Sequence, residues 1–407
     1  MSVQISQAVD RLPYPLVGTA YHDYESSMAW RGLMIDSART YFPPATIKLM
    51  ICLAARYGFN RIHWHLSDDQ GWRINIPGYP QLTEIGATIS RPSYVHYKDA
   101  APGSVERARQ QALQRWQNGW YRDDEVADIV SFAKTRGIVV VPEIDLPGHM
   151  AAAIMAYPML GAPEGVELPD ASREEAPHPV PDLLWPKESS FDFIDAVLTH
   201  LCTLFPSEYI HIGGDECAHT YWESDPDVRL WMNEQGVESG AHLQAYFMNY
   251  AGGVLQKYKR KPAVWDEAIA LPGISPSFVR DALAFSWQGS AGAQRAAAAQ
   301  RYVCADYRYL YLNYVDPDAS GQKGLLPAVS LRDVYEMPLE QGPRCVGIQA
   351  QLWSEFIIDE ADLLAMAFPR LLAVSERFVA SGNWEDFQAR ASKEMRVLGD
   401  VLRMDTV

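Results

Sequence analysis

Two carboxylic acids stand side by side at Asp215 and Glu216, directly after the run His211-Ile212-Gly213-Gly214. The run reads as a short apolar strand, and its two glycines let backbone or a ligand approach closely. Most glycosidases set two carboxyls on opposite sides of the scissile bond, about 5–5.5 Å apart when retaining and wider when inverting. Adjacent residues do not straddle a sugar ring in that way. They suit a site where one carboxyl protonates the leaving oxygen and the other handles a group on the same sugar, the shape of hydrolysis assisted by the substrate's own acetamide oxygen. The acid in such a pair needs a raised pKa, which a close carboxylate supplies by repulsion. Its partner must stay ionised to balance the positive charge that develops.

Other polar residues recur just beyond short apolar runs. They are Asp36 and Arg39; His65, Asp68 and Asp69; Glu143, Asp145 and His149; Trp265, Asp266 and Glu267; then Trp287, Tyr311, Trp353 and Glu355. Carboxylates alternating with tryptophans suit carbohydrate above other ligands, because sugars stack apolar faces on indoles and present hydroxyls to charged partners.

The elements that must position these groups follow a βα rhythm. Strand candidates are Gly32 to Ile35, Arg61 to Leu66, Gly137 to Ile144, Tyr209 to Ile212, Ala263 to Trp265, Ala282 to Phe285, Tyr302 to Ala305 and Gly347 to Leu352. Helices are expected over 46–57, 123–136 and, as one long element closing the ring, 361–379. This is the pattern of an α/β fold, a single-domain (β/α)8 TIM barrel with long βα loops, whose site lies at the carboxyl ends of the strands. Residues 1–25 read as an N-terminal extension and 26–407 as the catalytic barrel. Two irregular segments, 94–118 and 157–186, read as loops over one face, the first with a short helix over 105–116. A doubly wound open sheet is the rival, weakened by the lack of a glycine-rich phosphate loop after the first strand.

Composition narrows the function. Hydrophobic residues make up 48% and charged residues 21% of the 407, ordinary for a packed globular chain. The formal charge of −16 disfavours nucleic acid, which needs clustered Lys and Arg. No apolar run approaches membrane-spanning length, so no membrane partner is expected. The five scattered cysteines and the absence of an apolar leader point to a reducing, cytoplasmic setting.

Five ordered segments carry a resemblance. Arg31-Gly32-Leu33-Met34-Ile35-Asp36-Ser37-Ala38-Arg39, His63-Trp64-His65-Leu66-Ser67-Asp68-Asp69-Gln70, Pro142-Glu143-Ile144-Asp145-Leu146-Pro147-Gly148-His149, Gly213-Gly214-Asp215-Glu216 and Leu352-Trp353-Ser354-Glu355 together resemble the motifs of glycoside hydrolase family 20, the β-N-acetylhexosaminidases. They run in the family's order from Arg31 to about Trp384. The resemblance implies Glu216 as general acid, Asp215 as the residue orienting the acetamide, and Tyr311 as its partner on the acetamide oxygen. It implies Arg39 and Glu355 on ring hydroxyls, walls of Trp265, Trp287 and Trp353, and a relay from Asp68 through His149 to Glu216. It further implies a retaining, exo-acting enzyme on an oligosaccharide or glycoconjugate, with no cofactor and no metal. Many relatives carry Asp two residues after the pocket tyrosine, where this chain has Asn313, which leaves gluco against galacto preference open. Tyr307 and Tyr309 compete with Tyr311 for the tyrosine's role. Many relatives place a small α/β domain before the barrel, so a first motif at Arg31 reads as a barrel-only member, whose uncovered face leaves a homodimer open.

The residues by themselves keep other readings in view. His63 and His65 share one strand face and have the spacing of a metal pair in an amidohydrolase-type barrel, with a hydrogen-bonded structural role as the alternative. Release of a disaccharide, as by a lacto-N-biosidase, and a non-catalytic sugar-binding barrel are two further readings. His149 has the plain reading of a loop histidine satisfied by backbone, and Arg39 that of a simple partner to Asp36 or Asp68. Trp30, Trp185 and Trp231 read as packing or surface residues, and Cys217 as a small buried filler.

Overall fold

β-branched and aromatic residues concentrate in eight short runs, and each forms a strand. In the computed structural model these are β1 (Trp30–Asp36), β2 (Arg61–His65), β3 (Val139–Glu143), β4 (Tyr209–His211), β5 (Lys261–Trp265), β6 (Leu283–Ser286), β7 (Arg301–Cys304) and β8 (Cys345–Leu352). They pair in parallel in chain order, and β8 closes the ring on β1 with Met34 opposite Gln351. The structure describes residues 21, 26–88, 101, 103–104, 119–163, 182–296, 299, 301–318, 323–339, 342–379 and 382–402. The N-terminal extension apart from Tyr21, the helix expected over 105–116 and much of both long loops lie outside the described residues.

All eight expected strands are present, with ends within two or three residues of the expected ones. Between β1 and β2, Pro44–Arg56 opens on a proline, where the missing N–H costs no helical hydrogen bond. Asp123–Lys134, before β3, carries Asp123, Asp124 and Glu125 in its first turn, against the positive end of the helix dipole. The single long helix expected over 361–379 is instead two, Glu360–Ala367 and Arg370–Arg377. Pro369 separates them, since its ring cannot donate to the preceding turn and crowds it. Among the described residues no helix is long and apolar enough to cross a membrane.

Two layers of side chains follow from strand alternation. Ile35, Ile62, Trp64, Val140 and Ile210 face the helices in one continuous core. Trp30, Met34, Val141, Tyr209, Trp265, Phe285 and Trp353 fill the barrel interior. Above that filling the interior turns polar, with His63, His65, Glu143, His211, Gln349 and Gln351 all fully buried. Most of these lie toward the carboxyl ends of their strands, where the candidate site residues gather.

Candidate active site

Beyond β4 the chain turns on three residues with positive φ, Gly213 (64°), Gly214 (97°) and Glu216 (46°). A side chain at Gly213 would overlap the carboxylate of Asp145, so only glycine fits there. The turn is anchored from both sides. Gly214 N donates to Asp145 Oδ1 at 3.1 Å, and Gln244 Nε2 donates to Gly214 O at 2.9 Å. The consequence is divergence of the acid pair. Asp215 points inward with 12% of its side chain exposed, while Glu216 stands at the surface with 59% exposed.

Asp68 is the hub of the site. Its Oδ2 accepts from Arg39 Nη2 and from His65 Nε2, each at 2.8 Å. Its Oδ1 accepts from Asp69 N at 2.7 Å and faces His149 Nδ1 at 3.4 Å. His149 Nδ1 also lies 3.2 Å from Asp69 Oδ2, and Asp69 Oδ1 accepts from Ala151 N at 3.1 Å. The other edge of the His149 ring faces the acid pair, with Nε2 3.6 Å from Glu216 Oε2 and 3.9 Å from Asp215 Oδ2. These are ion-pair separations, looser than hydrogen bonds.

Beneath the hub, Glu143 gathers four ring nitrogens. Oε1 meets His211 Nδ1 at 2.7 Å and accepts from Trp265 Nε1 at 2.9 Å. Oε2 meets His63 Nε2 at 3.0 Å and pairs closely with His65 Nδ1. Burial would raise the Glu143 carboxyl, but His211, His65 and His63 hold it well below its usual range. Burial pulls His65 down, yet Glu143 and Asp68 carry it up to about 10, while His63 falls to about 4. His149 is held well above its usual value by Asp68 and Asp69, again against burial. Burial and then Asp145 push Asp215 well above the carboxylate range. The ionised Asp215 expected beside a positive intermediate therefore depends on what faces the carboxyl. A cationic or N–H-donating group beside it would favour the ionised form.

The walls are aromatic. Trp287 and Tyr311 lie nearly parallel, 6.2 Å apart and inclined by 15°. Trp353 sits 6.1 Å from Tyr311 and 5.8 Å from Trp265, and the Arg39 guanidinium lies 5.0 Å over its ring. Trp287 Nε1 donates to Glu267 Oε2 at 2.9 Å. Burial and Asp266 lift Glu267 to about 7. Asn313 Nδ2 donates to Glu355 Oε2 at 3.3 Å, and burial lifts Glu355 to about 7 although Arg39 opposes it. The turn bearing Tyr311 and Asn313 hangs on Arg370, whose guanidinium donates to the carbonyls of Leu312 at 2.7 Å and Tyr314 at 2.9 Å.

Three groups of described residues bring metal-type donors within 4.8 Å of one another: His63, Glu143 and His211; Asp68, Asp69 and His149; and Asp145, His149 and Asp215. In the first two the carboxylates are already engaged by ring and backbone nitrogens.

The profile of glycosyl hydrolase family 20, catalytic domain, matches residues 28–381. The chain belongs to this family. A family 20 structure described as an exo β-N-acetylglucosaminidase from Vibrio harveyi in complex with N-acetylglucosamine superposes with a TM-score of 0.80 at 30% identity, covering 94% of this chain and 59% of that one. A β-N-acetylhexosaminidase from Bacteroides fragilis superposes at 0.75 and 30% identity, over 92% and 72% of the two chains. In sequence, a β-hexosaminidase of Porphyromonas gingivalis is 34% identical across 90% of this chain and 44% of its own length. One from Vibrio furnissii is 31% identical across 85% and 56%. The family 20 chain thus spans about half the length of these curated relatives.

Within the family 20 barrel, the structure brings together Arg39, Asp68, His149, Asp215 and Glu216 on one side and Trp287, Tyr311, Asn313, Trp353 and Glu355 on the other. Tyr311 rather than Tyr307 or Tyr309 faces Trp287 and Trp353. Arg39 also pairs with Asp36 at 3.4 Å, so the bland pairing and the site placement hold together. Trp265 lies deeper than a wall, 1% exposed and tied to Glu143. Trp30 and Trp185 are core residues. Cys217 is partly exposed rather than buried, and desolvation followed by Asp182 pushes its thiol well above its usual range. Sequence reasoning placed Asp69, Glu143 and Asp145 at the strand ends facing the site but gave them no individual role, and gave none to Gln70, whose Oε1 accepts from Arg39 Nε at 2.8 Å. The signal for Glu143 and Asp145 was their i, i+2 spacing at the end of an apolar strand, which aims both to one side.

Proposed function

We propose that the chain is a retaining, exo-acting β-N-acetylhexosaminidase that removes terminal β-linked N-acetylhexosamine from an oligosaccharide or glycoconjugate by substrate assistance. The observation that carries this reading is the divergence of Asp215 and Glu216, one aimed inward beside Asp145 and His149, the other outward at the pocket rim. Such a pair serves two groups on the same sugar, not two faces of its ring.

In the first step Glu216 gives its proton to the glycosidic oxygen as the C1–oxygen bond breaks. The carbonyl oxygen of the 2-acetamido group bonds to C1 and forms an oxazolinium ring. Asp215 accepts the acetamide N–H, and its charge offsets the positive charge growing on that group. Tyr311 supplies a hydroxyl from the opposite wall. In the second step water attacks C1, Glu216 takes its proton, and the ring reopens to the acetamide. Two displacements at C1 give net retention. Arg39 and Glu355 hold ring hydroxyls, and the stacked Trp287 and Tyr311 with Trp353 enclose the sugar.

The test is release of p-nitrophenol from the β-N-acetylglucosaminide and β-N-acetylgalactosaminide beside the plain β-glucoside. Turnover of the acetamido sugars alone, with tight inhibition by a thiazoline mimic of the cyclised intermediate, is expected. Equal turnover of the glucoside would overturn acetamide participation. The ratio of the two acetamido sugars reads the corner made by Asn313 and Glu355.

A further inference from the structure

Asp68 makes contacts on the sugar-holding side and on the acid side of the site at once. Oδ2 holds Arg39 and Oδ1 faces His149, so any rotation of this one carboxylate moves both. What stops that rotation from below is a single ring. His65 lies between two carboxylates, paired through Nδ1 with Glu143 and through Nε2 with Asp68 at 2.8 Å. Glu143 is itself locked by His211 and by Trp265 of the barrel interior.

Building on the hydrolase reading, we propose that His65 is a positioning residue: bridging Glu143 to Asp68, it fixes the carboxylate that holds both Arg39 for the sugar and His149 for the acid. The chain of partners alternates in charge from the barrel interior outward, with Glu143 anionic, His65 cationic, Asp68 anionic, then Arg39 and His149 cationic. Alternation lets five groups, four of them buried and His149 nearly so, stay charged with each facing an opposite sign, where an isolated one would neutralise. The groups around the His65 ring are Glu143, Asp68, Asp36, His63, the Arg39 guanidinium that shares Asp68 Oδ2 with it, and the edge-on indole of Trp353 at 5.0 Å. Three of these are carboxyls, and they hold the ring cationic through neutral pH. Loss of the bridge leaves Oδ2 of Asp68 with Arg39 as its remaining side-chain partner, so the carboxylate keeps its Oδ1 contacts to Asp69 N and His149 but can turn about them toward Arg39. A displacement of about 1 Å at such a supporting group is enough for a ~100-fold effect on rate.

The experiment compares His65→Gln, His65→Asn and His65→Phe on two substrates, the β-1,4-linked N-acetylglucosamine disaccharide and 2,4-dinitrophenyl β-N-acetylglucosaminide. The dinitrophenolate leaves without help from an acid, so damage on the acid side should appear with the disaccharide and largely vanish with the activated substrate. Damage on the Arg39 side should raise KM for both. The expected result for His65→Phe is a kcat loss of ~100-fold on the disaccharide, at most several-fold on the dinitrophenyl substrate, and a raised KM on each. The Gln amide reaches the place of Nε2 and the Asn amide that of Nδ1, so Gln should recover part of the loss and Asn little. Equal losses on both substrates, or equal behaviour of the three variants, would mean that the ring only fills space. If the variants fail to fold, nitrogen-15 spectra of the unaltered protein at pH 8 decide the matter. A doubly protonated His65 with both N–H protons shielded from exchange is expected, and a neutral ring overturns the bridge. An unaltered protein inactive on both substrates would refute the hydrolase reading instead, and the spectrum would still decide whether His65 bridges.

Discussion

Nε2 of His149 lies 3.6 Å from Oε2 of Glu216. Because the opposite ring nitrogen faces Asp68 and Asp69, the imidazole is held cationic and offers an N–H to the acid. Glu216→Gln should lower kcat on unactivated substrates by ~10²–10⁴-fold with little change in KM. His149→Ala should cost less, on the order of 10–100-fold, since in the proposed mechanism it orients the proton donor without transferring the proton. Steady-state kinetics of both variants check this ordering, and a normal rate for Glu216→Gln would remove it from the acid's role.

Asp215→Asn keeps the size of the side chain and removes the charge that the oxazolinium calls for. A fall in kcat of ~10²–10³-fold is expected, with thiazoline affinity falling in parallel while affinity for the plain sugar product changes little. Titration calorimetry with both ligands separates the two effects.

Glu355 provides a pH dependence with a defined sign. Its carboxyl sits at about 7 in the folded site against 4.5 in the unfolded chain. The folded state therefore holds that proton more tightly, and the stability it contributes is full below about 4.5 and is lost as pH rises through 7. Acceptance of a sugar hydroxyl by the carboxylate grows over the same interval. The kcat/KM profile should climb through about 7, and Glu355→Gln should reduce that climb, leaving the part that belongs to ionisation of Asp215, while raising KM. At pH 8 the same variant should melt higher than the parent, because it no longer buries an anion. Glu267 titrates near the same pH, so Glu267→Gln serves as the comparison. If it alone removes the climb, the limb belongs to Glu267.

Gly213→Ala should destabilise the fold by about 1–3 kcal/mol, since the backbone there has φ of 64° and the new methyl meets the Asp145 carboxylate. Relief of that overlap moves the turn carrying Asp215, so activity should fall further than stability. Thermal melting and kinetics on the same preparation check both.

The barrel was legible because each strand is a short β-branched run followed by polar residues, and that pattern is local. The adjacency of Asp215 and Glu216 was legible for the same reason, being contiguous, whereas their divergence was not. Pro369 was equally visible and had the local power to split a helix, yet the apolar periodicity on either side hid it. The support under the site was not legible, because it is assembled from residues far apart in the chain. Trp265 reads as a wall from its place after β5, but its indole reaches Glu143 across 122 positions. Asp145 meets Gly214 across 69. Nothing in the local pattern of either strand encodes those encounters.

Ser354 N donates to Asp36 Oδ2 at 3.0 Å, and the two residues are 318 positions apart. Asp36 precedes Arg39 and Ser354 precedes Glu355, so the two residues proposed to hold sugar hydroxyls come from opposite ends of the barrel. During synthesis the first strand must therefore wait, one edge unpaired, until nearly all the remaining barrel has left the ribosome. At the usual ~5–20 residues per second that delay is tens of seconds, long enough for an open edge to recruit a neighbouring chain. Arg39 and Glu355 come together only in the last moments of that interval, as the final strand seats.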